Sequence, residues 1–163
     1  MYSEYDGESF YGFVDKDVHD EHDPLAQFQL LPLKSSFSEK EIDYFKVIIE
    51  HLLDGEIESK TIMTFDDKKL TASQKQTFIR HLVAEKWLLK VDDKYFIGPR
   101  TQLSLREYLI HLIGDENHTL PLCSFCKKEA IVFQLCPSCQ SPIHRYCYHQ
   151  SHFCPQCKVQ WGK

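Results

Sequence analysis

Residues 136–157 read CPSCQSPIHRYCYHQSHFCPQC, five cysteines and three histidines in one short stretch. Thiols at this density are half-disulfides or metal ligands, and the choice decides how the C-terminal part of the chain folds. All seven cysteines of the 163-residue chain fall between Cys123 and Cys157, and seven is an odd number. A disulfide framework would not be so confined, so the thiols are expected to ligate metal in a reducing compartment.

Working outward, the ligand string is Cys123-x2-Cys126-x9-Cys136-x2-Cys139-x4-His144-x2-Cys147-x6-Cys154-x2-Cys157. An x2 spacing lets two side chains of one tight knuckle reach the same ion, and zinc takes four ligands in a tetrahedron, so four pairs supply two closed sites. Neighbouring knuckles separated by a long loop favour an interleaved cross-brace over consecutive sites. Interleaving assigns Cys123, Cys126, His144 and Cys147 to a first zinc ion, and Cys136, Cys139, Cys154 and Cys157 to a second. His144 is preferred over His149 and His152 because it stands at pairing distance from Cys147; the other two are read as surface or packing residues. Sites closed on four ligands have no position for water, so the metal is expected to be structural. It replaces a core that about 45 residues cannot build, at on the order of 10 kcal/mol per site.

Charge agrees with this reading. Residues 1–34 carry net −6, residues 35–118 net −3 and residues 119–163 net +4. The basic tail resembles a nucleic-acid footprint until seven thiolates and two zinc ions are included, which bring it to about +1. No apolar run approaches the roughly 20 residues that span a bilayer, and the start MYSEYDGESF is acidic where a signal peptide would be basic, so a soluble intracellular chain is expected.

Upstream, SFYGFVD at 9–15 has strand character, and His19 and His22 lie in an acidic stretch read as a solvated loop. Ser38 with Glu41 forms a capping box before Ile42, Phe45, Ile49 and Leu52 at helical spacing, and Gly55 marks the helix end. ESKTIMTF reads as a short strand or turn. A second helix starts near Thr71 or Ser73 and runs to about Lys86, with Phe78, Leu82, Ile79 and Val83 inward. WLLKVDDKYFI predicts a hairpin turning at Asp92 and Asp93, and one more helix is expected from about Thr101 to Ile113. GDENHTLP, residues 114–121, reads as a linker.

Helix, short strand, helix and two-stranded wing is the order of a winged-helix domain. Such domains read DNA with their second main helix and wing, but here the wing tip is Asp92-Asp93, which repels phosphate, and Lys75, Arg80 and Lys86 read as a solvated helix face. Protein contact is the favoured use of this domain.

The ligand string resembles a RING-type zinc domain of the variant with seven cysteines and one histidine. The PHD finger has the same ligand order, but it has a longer gap before the last pair and an aromatic residue where His152 stands. The winged helix, the zinc module, FYGFVD upstream and CPQCKVQW near the end together resemble the family of first non-SMC element subunits of the Smc five/six complex, a nuclear chromosome-maintenance and DNA-repair assembly.

The resemblance implies an α+β fold, a winged-helix domain followed by a small two-zinc cross-brace RING-like domain. It divides the chain into an acidic segment, 1–34, with the closing strand of a first winged helix; a winged helix, 35–114; and the variant RING-like domain, 115–163. It further implies a MAGE-type partner and other subunits of the complex, with DNA contacted mostly through the complex and no membrane. A ubiquitin-ligase activity would come from docking a charged ubiquitin-conjugating enzyme at Phe125, Pro155 and Lys158, the last in place of the usual arginine. None of these side chains would do covalent chemistry. The alternatives are a non-enzymatic structural subunit of the same complex and a PHD-type chromatin reader.

Overall fold

A computed structural model of the protein describes residues 33, 36–65, 70–113 and 119–160. The strand expected at 9–15, the acidic loop around His19 and His22, and residues 114–118 of the expected linker lie outside them.

Helix α1, Glu39–Leu53, begins where the capping box predicts: the Glu41 carboxylate accepts from the Ser38 backbone N–H at 2.9 Å. Glu39 and Glu41 lie at its positive end. Its inward face buries Ile42, Phe45, Ile49 and Leu52 as the spacing requires, together with Tyr44 and Ile48. ESKTIMTF, residues 58–65, with Ile57 before it, supplies a two-residue strand, β1, Ile57–Glu58, and a single helical turn, α2, Ser59–Ile62. Tyr44 fixes that turn by donating its hydroxyl to the Ile62 carbonyl at 2.6 Å.

Helix α3, Ala72–Ala84, is capped by Thr71 and Gln74 and buries Phe78, Ile79 and Leu82. It stops two residues short of Lys86 because the chain turns left-handed there, at φ 64°, and the N–H groups of Lys86 and Trp87 close back on the Val83 and Leu82 carbonyls. Lys75 departs from the expected solvated face. It is buried, with its ammonium 4.8 Å from the Tyr44 ring centre and donating to the Phe65 carbonyl.

Strands β2, Leu88–Val91, and β3, Lys94–Ile97, form the expected hairpin, with Val91 opposite Lys94 across Asp92 and Asp93. The strand β1 adds to the free side of β3, giving an antiparallel sheet in the order β1-β3-β2. Gly98 follows at a point where a Cβ would lie 2.1 Å from the Lys86 carbonyl oxygen, so only glycine fits.

The helix expected from Thr101 to Ile113 is two helices, α4, Pro99–Ser104, and α5, Arg106–Ile113. Pro99 takes the first helical position, where its missing N–H costs nothing, and so moves the start forward by two residues. The break falls at Leu105, whose backbone leaves helical values and whose side chain is fully buried. Trp87, also fully buried, packs edge-on against Phe45 with 6.1 Å between ring centres, and the Arg100 guanidinium lies over its ring at 4.4 Å.

The cysteine-rich region has little regular structure: a two-stranded sheet of β4, Phe133–Leu135, and β5, Pro142–His144, then helix α6, Arg145–Gln150. Its own buried cluster is Cys123, Cys136, Cys147 and Cys154 with Ala130 and Ile143. Leu120 and Ile131 belong instead to the large apolar core of the helical region, so the end of the expected linker is packed. Among the described residues, no helix is long and apolar enough to cross a membrane.

Candidate metal centre

Three of the four pairs are tight knuckles built alike. In each Cys-x-x-Cys the first cysteine's carbonyl accepts the N–H of the residue after the second cysteine, at 2.9 Å: Lys127 to Cys123, Gln140 to Cys136 and Lys158 to Cys154. To make that bond the last residue adopts a left-handed backbone, with φ of 61°, 57° and 63° respectively. Both thiols of each pair are thereby turned to one side.

The strands bring the pairs together. The ligand atoms of Cys123, Cys126, His144 and Cys147 all lie within 4.8 Å of one another, and so do those of Cys136, Cys139, Cys154 and Cys157. These are the two interleaved sets expected from the spacing. All seven cysteines are free thiols. In the second group the Cys136–Cys157 and Cys139–Cys154 sulfurs stand 3.7 and 3.6 Å apart. A tetrahedral zinc ion with bonds of about 2.3 Å requires sulfurs about 3.8 Å apart, so the residues fit the metal. In the first group His144 Nδ1 is 3.2 Å from Cys126 Sγ and 3.9 Å from Cys147 Sγ.

The histidine is held in the orientation a ligand needs. His144 Nε2 lies 2.8 Å from the Glu129 carbonyl, which accepts its proton, and this leaves the Nδ1 lone pair facing the thiols. Burial, with the nearby Lys128 ammonium, holds the ring below its ordinary pKa against the pull of that hydrogen bond, so the neutral, metal-binding form is favoured. His149 and His152 are exposed and outside both groups.

Four of the thiols are shifted from their ordinary acidity. Burial opposes ionisation of Cys123, but the N–H groups of Cys126, His144 and Phe125 outweigh it and lower its pKa. Cys154 is brought down to about 6: burial resists, and the N–H groups of Cys157 and Gln156 and the Ser141 hydroxyl prevail. Cys147 is pushed up to about 12, by burial first and then by Cys123 and Cys126. Cys157 rises to about 11; the Val159 backbone pulls it down, but burial and the neighbouring thiols dominate. Four thiols this close cannot all ionise alone, and a bound dication removes the conflict.

The three docking candidates are displayed differently. Phe125, inside the first knuckle, is 45% exposed; Pro155, in the last, is half-buried; Lys158, just after it, is exposed. Leu122, Leu135, Phe153 and Val159 are also exposed, so among the described residues every large exposed hydrophobic side chain lies in this region. Sequence reasoning missed Glu129, which acts through its carbonyl, and Ser141, whose hydroxyl is 3.0 Å from Cys139 Sγ. The strand pairing that places both has no residue-level signature.

No protein-family model matches the chain. Among curated proteins it is similar to the Non-structural maintenance of chromosomes element 1 homolog of Xenopus laevis, at 26% identity over 171 residues, covering 97% of this chain and 59% of that protein. The Homo sapiens protein of the same name is 25% identical over 172 residues, covering 98% and 60%. The Drosophila melanogaster one is 23% identical over 136 residues, covering 75% and 56%. The chain thus spans about three fifths of the length of the first two of these relatives. A solved structure described as the Nse1-Nse3-Nse4 complex has a chain that superposes with a TM-score of 0.68 at 24% identity, covering all of this chain and 71% of that one.

Proposed function

We propose that this chain is a zinc-stabilised subunit of the Smc five/six complex, working in the nucleus through protein contacts and promoting ubiquitin transfer. On this reading residues 35–114 are a winged helix, with α3 as its second main helix and the β2–β3 hairpin as its wing. Residues 115–163 are a RING-like cross-brace that binds two zinc ions through Cys123, Cys126, His144 and Cys147, and through Cys136, Cys139, Cys154 and Cys157. The zinc ions would supply shape and no chemistry, since each site is closed by four protein ligands.

The observation that carries the reading is the interleaving of the two ligand groups, in a chain similar over nearly its whole length to element 1 homologs. The winged helix would dock a MAGE-type subunit, consistent with the complex in which the structural neighbour was solved. Its acidic wing tip and the buried Lys75 disfavour direct DNA reading, so DNA is reached through the complex.

Ubiquitin transfer by such a module is catalysis by positioning: the charged conjugating enzyme is held so that its thioester favours attack. Phe125 and Pro155 provide the apolar contact, and Lys158 reaches towards the enzyme–ubiquitin junction. A lysine there lacks the planar two-pronged donor of arginine, so the intrinsic rate is low and the MAGE-type partner raises it. That same lysine favours a second reading, in which the module only braces the complex.

The deciding experiment is single-turnover discharge of ubiquitin from a charged conjugating enzyme to free lysine, with and without the MAGE-type subunit. The ligase reading expects acceleration that Phe125→Ala abolishes while zinc content and fold are retained. No acceleration with any of several conjugating enzymes, both zinc ions being present, leaves the bracing role.

A further inference from the structure

We propose that the first metal site is also the latch between the two regions of the molecule, so that its occupancy and the docking of the regions on each other are thermodynamically coupled, whereas the second site is independent of that docking. The inference rests on the zinc reading above.

Two salt bridges between the regions flank the same ligand. Glu129, whose carbonyl holds His144, receives the Arg106 guanidinium from α5 on its carboxylate, through Nη2 at 2.5 Å and Nε at 3.2 Å. Arg145, the residue after His144, donates to Glu56 beside β1 and lies 5.0 Å above the Phe96 ring of β3. Glu56 is shared with Lys94 at 2.8 Å, which ties the hairpin to the same point. One contact fixes the carbonyl that orients the imidazole, and the other fixes the backbone that carries it.

The argument from geometry is short. Nδ1 faces the thiols while Nε2 keeps its hydrogen bond, and the segment that supplies the Glu129 carbonyl is held twice, inside its own region by the Leu122–Glu129 bridge and the Ala130 N–H to Pro121 carbonyl bond at 2.8 Å, and from outside by the helical region. That segment is anchored by the Arg106 pair and by the buried Ile131. Lifting the cysteine-rich region off α5 and β3 therefore removes the outer of these two supports and loosens a ligand. By reciprocity, losing the metal releases His144 and with it Arg145. The second site differs: Ser141, which hydrogen-bonds Cys139, belongs to the cysteine-rich region, and Cys139 and Cys157 face solvent.

The test uses the whole chain with its zinc, counted by native mass spectrometry, and the variant Arg106→Ala/Arg145→Ala, neither of which removes a ligand. Each is mixed with excess chelator, and hydrogen exchange is followed in segments 119–132, at the first site, and 152–160, at the second. Both salt bridges are partly exposed, so the expected acceleration is modest, about two- to tenfold at the first segment for the pair of substitutions, and none at the second. Equal acceleration at both segments, or at neither, overturns the latch while leaving the metal reading intact. A wild-type chain with fewer than two zinc ions overturns the metal reading and the latch together. The reciprocal measurement needs no substitution: stripping zinc from the wild type is expected to raise exchange in β3, and unchanged β3 exchange overturns the coupling.

Discussion

The helical region, 36–113, and the cysteine-rich region, 119–160, meet the same requirement with different materials. The first excludes water with aliphatic and aromatic side chains: Tyr44, Phe45, Phe78, Trp87 and a set of isoleucines and leucines are almost fully buried. The second buries four cysteines for every two other apolar residues in its own cluster, and leaves Leu122, Phe125, Leu135 and Phe153 outside. On the proposed zinc reading, a segment that folds by ligation does not need its hydrophobic side chains inside, and is free to present them to a partner. A segment that folds by burial cannot.

The comparison breaks most visibly if one ligand is removed. Cys154→Ser is expected to lower zinc content from two ions to one and to remove on the order of 10 kcal/mol from the cysteine-rich region. Amide protection would then be lost around β4 and β5, while that of α1 persists. Protection lost equally in α1 would show that the regions fold as one unit. A smaller effect, in the other region, is expected from Trp87→Ala: about 3–5 kcal/mol lost in a urea melt, with zinc content unchanged. Release of zinc by that substitution would mean that burial supports ligation directly.

The pH dependence sharpens the contrast. Burial, and to a lesser extent Glu50, raises Tyr108 from 10 to about 12. Below pH 10 the phenol is neutral in both states; above it the unfolded chain ionises first, so the helical region loses on the order of 2 kcal/mol between pH 10 and 12. Tyr108→Phe is expected to flatten that limb of the melting profile. The cysteine-rich region fails on the other side: His144 is held below its ordinary value, so its contribution is present above about pH 6.5 and is lost as the pH falls through the depressed value. Zinc release measured on acidification should therefore precede unfolding of α1.

Much of this was readable in the residues. Capping boxes are local and chemically specific, which is why Ser38 with Glu41 marks the start of α1 in the sequence, whereas the next long helix was placed only near Thr71 or Ser73 and the structure adds the box of Thr71 with Gln74. The ligand groups were readable because x2 spacings are rare by chance and a tetrahedron admits few partitions of eight donors. The end of α3 was not, because the left-handed residue there is Lys86 and not the glycine that normally signals it. The break at Leu105 was hidden for a related reason: LSLREYLIHLI keeps helical periodicity across a residue that leaves the helix to be buried. Lys75 misled by its charge, since burial of its stem and its placement over Tyr44 depend on tertiary packing. Glu129 was illegible because the atom that matters is a carbonyl that every residue has.

The knuckles also offer an engineering opportunity. Lys127, Gln140 and Lys158 hold a backbone conformation that costs an ordinary side chain about 1 kcal/mol or more, and that glycine adopts freely. The turns around both metal groups thus carry conformational strain that ligation must hold. A designer seeking a more thermostable version would install glycine or asparagine there, leaving every donor untouched. At 127 and 140 the exchange costs nothing in the proposed activity, whereas at 158 it removes the side chain assigned to the conjugating enzyme, so robustness can be raised with turnover untouched at two of the three turns and only at its expense at the third.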